Sequence, residues 1–118
     1  MLNLDITDKQ LAEYNKKNLD DFMDCYATDI KVFMLQSGQM ITEGKDQLHT
    51  IMKESFDKDT GSKTTVLSKV VQGNLIINQE EITGHEPDKI IRTISIYEVE
   101  NGLIQKLWFG GRTTLDSK

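Results

Sequence analysis

Few residues in this chain could do chemistry. Glu81 lies in the strand-like run Leu75–Thr83. A carboxylate on a sheet face turned away from water would be partly desolvated, with a raised pKa, which suits a general acid or base. Tyr97 and Tyr14 could supply hydrogen bonds to the same reaction. The ordinary alternative is a Glu81 in solvent, or one satisfied by Thr93 or Ser95. Gln79 and Gln105 could orient a ligand carbonyl, or bond each other and water. His49 and His85 lack ligand spacing, so no metal is expected. Cys25 has no basic residue at helical spacing to lower its pKa and reads as a small core residue. The glycines form no phosphate loop, and no cofactor is expected.

Those residues are positioned by Lys63 to Gly111. Four runs rich in Val, Ile, Thr and Tyr follow one another: Lys63–Gln72, Leu75–Thr83, Lys89–Val99 and Leu103–Gly110. That composition suits a pleated, half-buried surface. The turns Gly73-Asn74, Gly84–Asp88 and Glu100-Asn101-Gly102 are short, which implies an antiparallel meander. A two-residue turn at Gly73-Asn74 pairs Val70 with Ile77, Ser68 with Gln79 and Val66 with Glu81. A three-residue loop at Glu100–Gly102 sets Ile94 opposite Trp108 and Tyr97 opposite Gln105. The alternative two-residue turn, Asn101-Gly102, slips the register by one and turns every side chain to the other face.

With the three-residue loop, one face carries Gln79, Glu81, Thr93, Ser95, Tyr97, Gln105 and Phe109. So many polar groups among apolar ones argue for a cavity, where water or a ligand would satisfy them. The other face carries Ile90, Ile94, Ile96, Ile104 and Trp108, with Arg92 placed to pair with Glu80 or Glu98. It is too apolar to leave in water.

The first half supplies the cover. Thr7-Asp8-Lys9-Gln10 has capping-box spacing, flanked by Ile6 and Leu11 as a staple. Two helices are expected, about 8–17 and 19–26, bent at Asn15–Asn18, where Asn disfavours a helix interior. Ile30–Leu35 reads as a strand, Met40–Thr42 as an edge pairing back, and Lys45–Phe56 as a helix with the stripe Leu48, Ile51, Met52 and Phe56. Gly110-Gly111 should end the last strand, leaving Thr113–Lys118 as a frayed tail.

The totals bound the class. A chain of 118 residues, 37% hydrophobic and 28% charged, fits one soluble domain with a real core. Fourteen basic against nineteen acidic residues, net −5, argue against nucleic acid as a partner. No run reaches the length of a membrane span, the first residues do not resemble a signal peptide, and one cysteine excludes an internal disulfide. A cytoplasmic setting fits these features.

The chain resembles the SnoaL-like branch of the nuclear-transport-factor-2-like superfamily, which includes ketosteroid isomerases and polyketide cyclases. The resemblance rests on Asn15–Asp20 before Phe22, Tyr26–Val32, Gly44-Lys45-Asp46 opening a helix, Glu80–Gly84, and Val99–Ile104 running into Leu107-Trp108-Phe109. It spans nearly the whole chain. It implies an α+β fold, a cone-shaped curved antiparallel sheet wrapped around a cavity closed by the N-terminal helices. It also implies a homodimer through the convex face, for which Ile94, Ile96 and Trp108 are the expected contacts. On the ketosteroid isomerase pattern the base position falls on Met34, the oxyanion tyrosine on Gln10 and the oxyanion acid on Ser95, so that catalytic set is absent. The expected function is binding of a small, apolar or amphipathic molecule by Tyr14, Tyr26, Met34, Gln79, Ser95, Tyr97, Gln105 and Phe109. The alternatives are an isomerase, cyclase or dehydratase using Glu81, and a protein-interaction module using the convex face.

Overall fold

A computed structural model describes residues 4–59 and 61–116. Helix α1 (Leu4–Lys16) turns Thr7, Gln10 and Glu13 inward. It begins before Thr7, so the expected capping box lies inside the helix, with Thr7 and Gln10 buried and Asp8 and Lys9 exposed. The bend at Asn15–Asn18 is real. Lys17 takes a left-handed φ of 58°, and the Asn18 N–H bonds back to the Glu13 carbonyl at 3.0 Å. This closes α1 as a left-handed C-cap does. Asn18 then caps α2 (Leu19–Met23), its side-chain oxygen accepting from the Asp21 N–H at 3.3 Å.

The second helix is shorter than expected. Tyr26 opens β1 (Tyr26–Met34) rather than closing a helix, and Cys25 sits in the connection. Strand β2 (Met40–Glu43) pairs back on β1, as its sequence suggested. Helix α3 (Lys45–Lys58) follows Gly44, whose φ of 92° suits a residue without Cβ. Leu48, Met52 and Phe56 of α3 face the core, whereas Ile51 of the expected stripe is exposed.

The meander is β3 (Lys63–Gln72), β4 (Leu75–Thr83), β5 (Lys89–Glu100) and β6 (Leu103–Asp116). Six strands form one sheet in the order β2-β1-β6-β5-β4-β3. The fold is thus α+β with a mostly antiparallel sheet. Antiparallel pairing is not complete, because β1 runs parallel to β6. Strand β6 does not stop at Gly110-Gly111. It continues to Asp116, which pairs with Lys89, because β5 is long enough to give Thr113–Asp116 a partner.

Three registers differ from those expected. In the first hairpin Val70–Ile77 and Ser68–Gln79 pair as expected, but a bulge between Val66 and Ser68 sets Val66 opposite Glu80 rather than Glu81. The last hairpin uses the two-residue turn, with Glu100 opposite Leu103. A bulge between Glu98 and Val99 then restores the parity, so Tyr97 meets Leu107 and Ile96 meets Trp108. The faces of β5 and distal β6 are therefore as expected, but displaced by two residues. The larger correction is β4 against β5. Thr83 pairs with Ile90, so odd positions of β4 meet even positions of β5. Asn78 and Glu80, not Gln79 and Glu81, share a face with Ser95 and Tyr97. The connecting loop sets this parity. The Lys89 N–H bonds the Glu86 carbonyl at 3.3 Å across Pro87-Asp88, and Asp88 takes a φ of 60°. That is a turn of the type that wants proline second and a positive φ third.

The core lies between this sheet face and the helices. Phe22, Met23, Cys25, Tyr26, Ile30, Val32, Leu48, Ile76, Tyr97, Val99 and Ile104 form one buried cluster. Phe22 lies within 6.2 Å, centroid to centroid, of Tyr14, Tyr26 and Phe56.

Candidate functional site

The sheet face turned toward α1 holds a buried carboxylate. Glu80 is 5% exposed. Its position follows from the β4 pleat, which sends Ile76, Asn78, Glu80 and Ile82 to the same side. Glu80 accepts hydrogen bonds from Tyr97 Oη at 2.9 Å, Ser95 Oγ at 3.0 Å and Asn78 Nδ2 at 3.3 Å. The chain of bonds continues into α1. Gln10 Nε2 donates to Tyr97 Oη at 3.1 Å, and Gln10 Oε1 accepts from Tyr26 Oη at 2.9 Å. The polarity of the chain follows from its end. The Tyr97 proton points to Glu80, so Tyr97 Oη must accept, which fixes the Gln10 amide and leaves its oxygen for Tyr26. Asn78 is held the same way, since a flipped amide would aim oxygen at the carboxylate. Its Oδ1 makes no bond among the described residues.

Burial pushes the Glu80 carboxyl above the usual carboxylate range, against the pull of Tyr97, Ser95, Asn78 and the more distant Lys69. Burial also holds the Tyr97 and Tyr26 hydroxyls well above 10, and the Glu80 charge adds to this at Tyr97. Both phenols therefore stay neutral and act as donors. The arrangement suits a carboxylate that accepts a proton or hydrogen bond, backed by a phenol that stabilises its charged form.

This network forms the wall of a depression of about 290 Å³ that Gln10, Tyr14, Glu80, Thr93, Ser95 and Tyr97 line together with Leu11, Phe22, Met52, Ile82 and Phe109. A second depression, about 610 Å³, shares Ile82, Thr93 and Phe109 with it and reaches Met34, Ile91 and Arg112. A third, about 320 Å³, adds Lys58, Asp59 and His85 at its edge. The two carrying Arg112 share Ile82 and Ile91.

The residues singled out from sequence fall in different places. Tyr14, Ser95, Tyr97 and Phe109 line the depression around Glu80, and Met34 lines the adjoining one. Tyr26 is buried behind Gln10 and lines neither. Glu81 is corrected by one residue. It faces the other side of the sheet, where Arg92 Nε meets it at 3.1 Å. Gln79 shares that side, bonding Ser68 Oγ at 3.3 Å. Gln105 stands at the bulge of the last hairpin and donates to the Glu100 carbonyl at 3.0 Å. Ile94, Ile96 and Trp108 face away from Glu80, and Trp108 stacks on Phe33 at 5.5 Å. His49 and His85 are far apart in the chain. Among the described residues no group of three His, Cys, Asp or Glu could hold a metal ion. Burial pushes the Cys25 thiol up, away from reactivity. No helix among the described residues is long and apolar enough to cross a membrane.

Glu80, Asn78, Gln10 and Arg112 were missed as site residues. The signal for Glu80 lay in Pro87-Asp88, whose turn determines the parity of β4 against β5.

Comparison with known proteins agrees with this architecture. An uncharacterised protein from Novosphingobium aromaticivorans, described as a cystatin fold, superposes with a TM-score of 0.81 at 17% identity, over 93% of this chain and 98% of that one. A nuclear-transport-factor-2-like protein of unknown function from Burkholderia xenovorans gives 0.76 at 22% identity, over 92% and 80%. A Catenulispora acidiphila protein with a ketosteroid isomerase-like fold, solved with trimethylamine, gives 0.73 at 13% identity, over 89% and 83%. These likenesses concern the fold. No curated protein gives a significant sequence match. Residues 8–107 match the family model for the SnoaL-like domain. The chain belongs to the SnoaL-like domain family, with the nuclear-transport-factor-2-like, ketosteroid isomerase-like fold.

Proposed function

We propose that the sheet and the N-terminal helices enclose a binding cavity for a small, mostly apolar molecule that offers a hydrogen-bond donor to Glu80. The observation that carries this reading is the buried Glu80 carboxylate, which with its partners Ser95 and Tyr97 and with Gln10, Tyr14, Thr64 and Thr93 lines a depression whose other walls are Leu11, Phe22, Met52, Ile82 and Phe109. A carboxylate costs free energy when buried, and a fold maintains one where its partners or a ligand offset that cost. Sites of this composition, apolar with a few placed polar groups, are the usual form of small-molecule pockets.

Native mass spectrometry of the protein as purified tests the reading. We expect a noncovalent adduct on the order of a few hundred daltons, the size such pockets take. Glu80→Gln should weaken its retention. Undiminished retention by that variant, or failure of both purified and added apolar alcohols to bind, would overturn the proposal.

A catalytic reading is favoured by one feature, the raised Glu80 carboxyl beside a neutral phenol. In it Glu80 takes and returns a proton in isomerase, cyclase or dehydratase chemistry, and Tyr97 stabilises the ionised form. General acid–base catalysis of this kind contributes roughly 10²–10⁴-fold, so Glu80→Gln would remove turnover by about that factor while leaving the apolar contacts. The opposite face, with Ile94, Ile96 and the stacked Phe33 and Trp108, is assigned in this proposal to a second copy of the chain.

A further inference from the structure

The chain has two arginines, and they stand on opposite faces of the sheet. Arg92 is paired with Glu81. Arg112 makes no ion pair with any described residue and lines both depressions that adjoin the Glu80 site. A backbone irregularity puts it there. Between the pairs Arg92–Thr113 and Ile94–Gly110 the β5–β6 register shifts by one residue. Thr93 thus opposes both Gly111 and Arg112. Gly111 supplies a φ of 65°, a conformation that favours glycine, and Thr93 Oγ1 bonds the Gly110 carbonyl at 2.9 Å. Such bulges re-aim a side chain. This one adds a residue after Phe109, so that Arg112 joins Phe109 as a lining residue.

The same register places Arg112 relative to Glu80. Glu80 pairs with Thr93 on β5, and Thr93 faces the Gly111–Arg112 bulge on β6. The two charged residues are therefore two strands apart in one row. Neighbouring strands lie about 4.8 Å apart, so their Cα atoms are separated by about 10 Å. Thr93 stands between them with its hydroxyl turned to the Gly110 carbonyl, and Ile82, Ile91 and Phe109 flank it as apolar lining. Other charges at this mouth are already engaged. Lys58 Nζ meets Glu54 at 2.7 Å, and Asp59 meets Lys17 Nζ at 3.1 Å.

The geometry points to a specific ligand class for the proposed cavity: a medium-length monocarboxylate whose carboxylate pairs with Arg112 and whose far end carries a hydroxyl that donates to Glu80. This inference rests on the binding role given to Glu80 above. A guanidinium presents parallel N–H donors that match a carboxylate. A single arginine in a chain of net charge −5, with Glu80 in the adjoining depression, suits a monoanion better than a dianion. The Glu80 charge also fixes the orientation, because it repels the carboxylate end and accepts the hydroxyl end.

The test compares 8-hydroxyoctanoate with octane-1,8-diol by calorimetry near neutral pH. The two differ only in the group meant for Arg112. We expect the acid to bind at least tenfold more tightly, and Arg112→Gln to abolish that preference by weakening the acid far more than the diol. Arg112→Lys, which keeps the charge without the fork, should fall between. Arg112 is exposed, and an unchanged melting temperature would show that these variants fold. Equal binding of acid and diol, or a preference that survives Arg112→Gln, would overturn the inference and leave the apolar cavity standing. Failure of both compounds to bind would overturn the cavity reading as well.

Discussion

Tyr97→Phe probes the centre of the hydrogen-bond chain without changing its shape. The ring is 2% exposed and keeps its core contacts as phenylalanine. What is lost is one oxygen with two partners. Glu80 Oε2 loses its closest donor, at 2.9 Å, and Gln10 Nε2 loses its acceptor, at 3.1 Å. A hydrogen bond to a charged group contributes about 1.5–3 kcal/mol, and a buried donor left unpaired costs about 1–3 kcal/mol. The two losses share a network and do not add fully. A destabilisation of about 3 kcal/mol is expected, or roughly 10 °C in melting temperature for a domain of this size. The cost should depend on pH with a definite sign. The folded-state pKa of Glu80 already lies above its unfolded value because of burial, and losing the Tyr97 donor raises it further. A carboxyl with a raised folded pKa destabilises the fold when ionised. The Tyr97→Phe penalty is therefore fullest above the folded pKa and shrinks as pH falls through it toward the unfolded value near about 4.3. Urea unfolding followed by tryptophan fluorescence across that range measures it. Tyr26→Phe is the control, since among the described residues the Tyr26 hydroxyl bonds Gln10 alone, and its loss should cost about 1 kcal/mol. A Tyr97→Phe penalty below about 0.5 kcal/mol, or one that does not change with pH, would refute the reasoning.

Two other perturbations test the frame around the site. Asp59 ties the loop before β3 to α1. It accepts from Ser62 and Gly61 backbone N–H groups and pairs with Lys17, and although burial opposes it, these bonds hold its carboxyl well below the usual range. Asp59→Asn should cost about 1.5–3 kcal/mol at neutral pH by urea unfolding, with the difference from wild type closing as pH falls through and below about 4, where the unfolded carboxylate is already protonated. A constant difference from pH 7 to well below 4 would contradict it. Trp108→Ala removes the ring stacked on Phe33 and, with it, part of the face assigned to a second copy. Sedimentation at micromolar concentration should show a dimer for the wild type and a monomer for the variant, and a wild-type monomer would count against that assignment.

Much of the fold was legible because strong local signals agreed. Gly73-Asn74 fixed the first hairpin, with Val70 opposite Ile77 as expected. Asn15–Asn18 gave the helix bend, and Met40–Thr42 the edge strand. The site was less legible because β4 carries little contrast between its faces. Ile76, Asn78, Glu80 and Ile82 alternate with Ile77, Gln79 and Glu81, and either set could be buried by pattern alone. Only the turn at Pro87-Asp88 distinguishes them, and a single residue there exchanges Glu80 for Glu81. Arg112 was hidden for a related reason. Gly110-Gly111 reads as a strand end, whereas here it forms a bulge within a strand whose partner continues to Lys89. Tyr26 looked helical because Phe22, Met23 and Tyr26 keep helical spacing, but the chain leaves the helix after Met23 and still buries Tyr26 from β1.

The central claim is that a ligand binds on the Glu80 face of the sheet. Chemical-shift mapping of isotope-labelled protein during titration with octane-1,8-diol tests it most directly. The account predicts shifts centred on Glu80, Thr93, Ser95, Tyr97 and Phe109, lost in Glu80→Gln. Shifts centred instead on Gln79, Glu81, Ile94 and Trp108, or none at saturating diol, would contradict it.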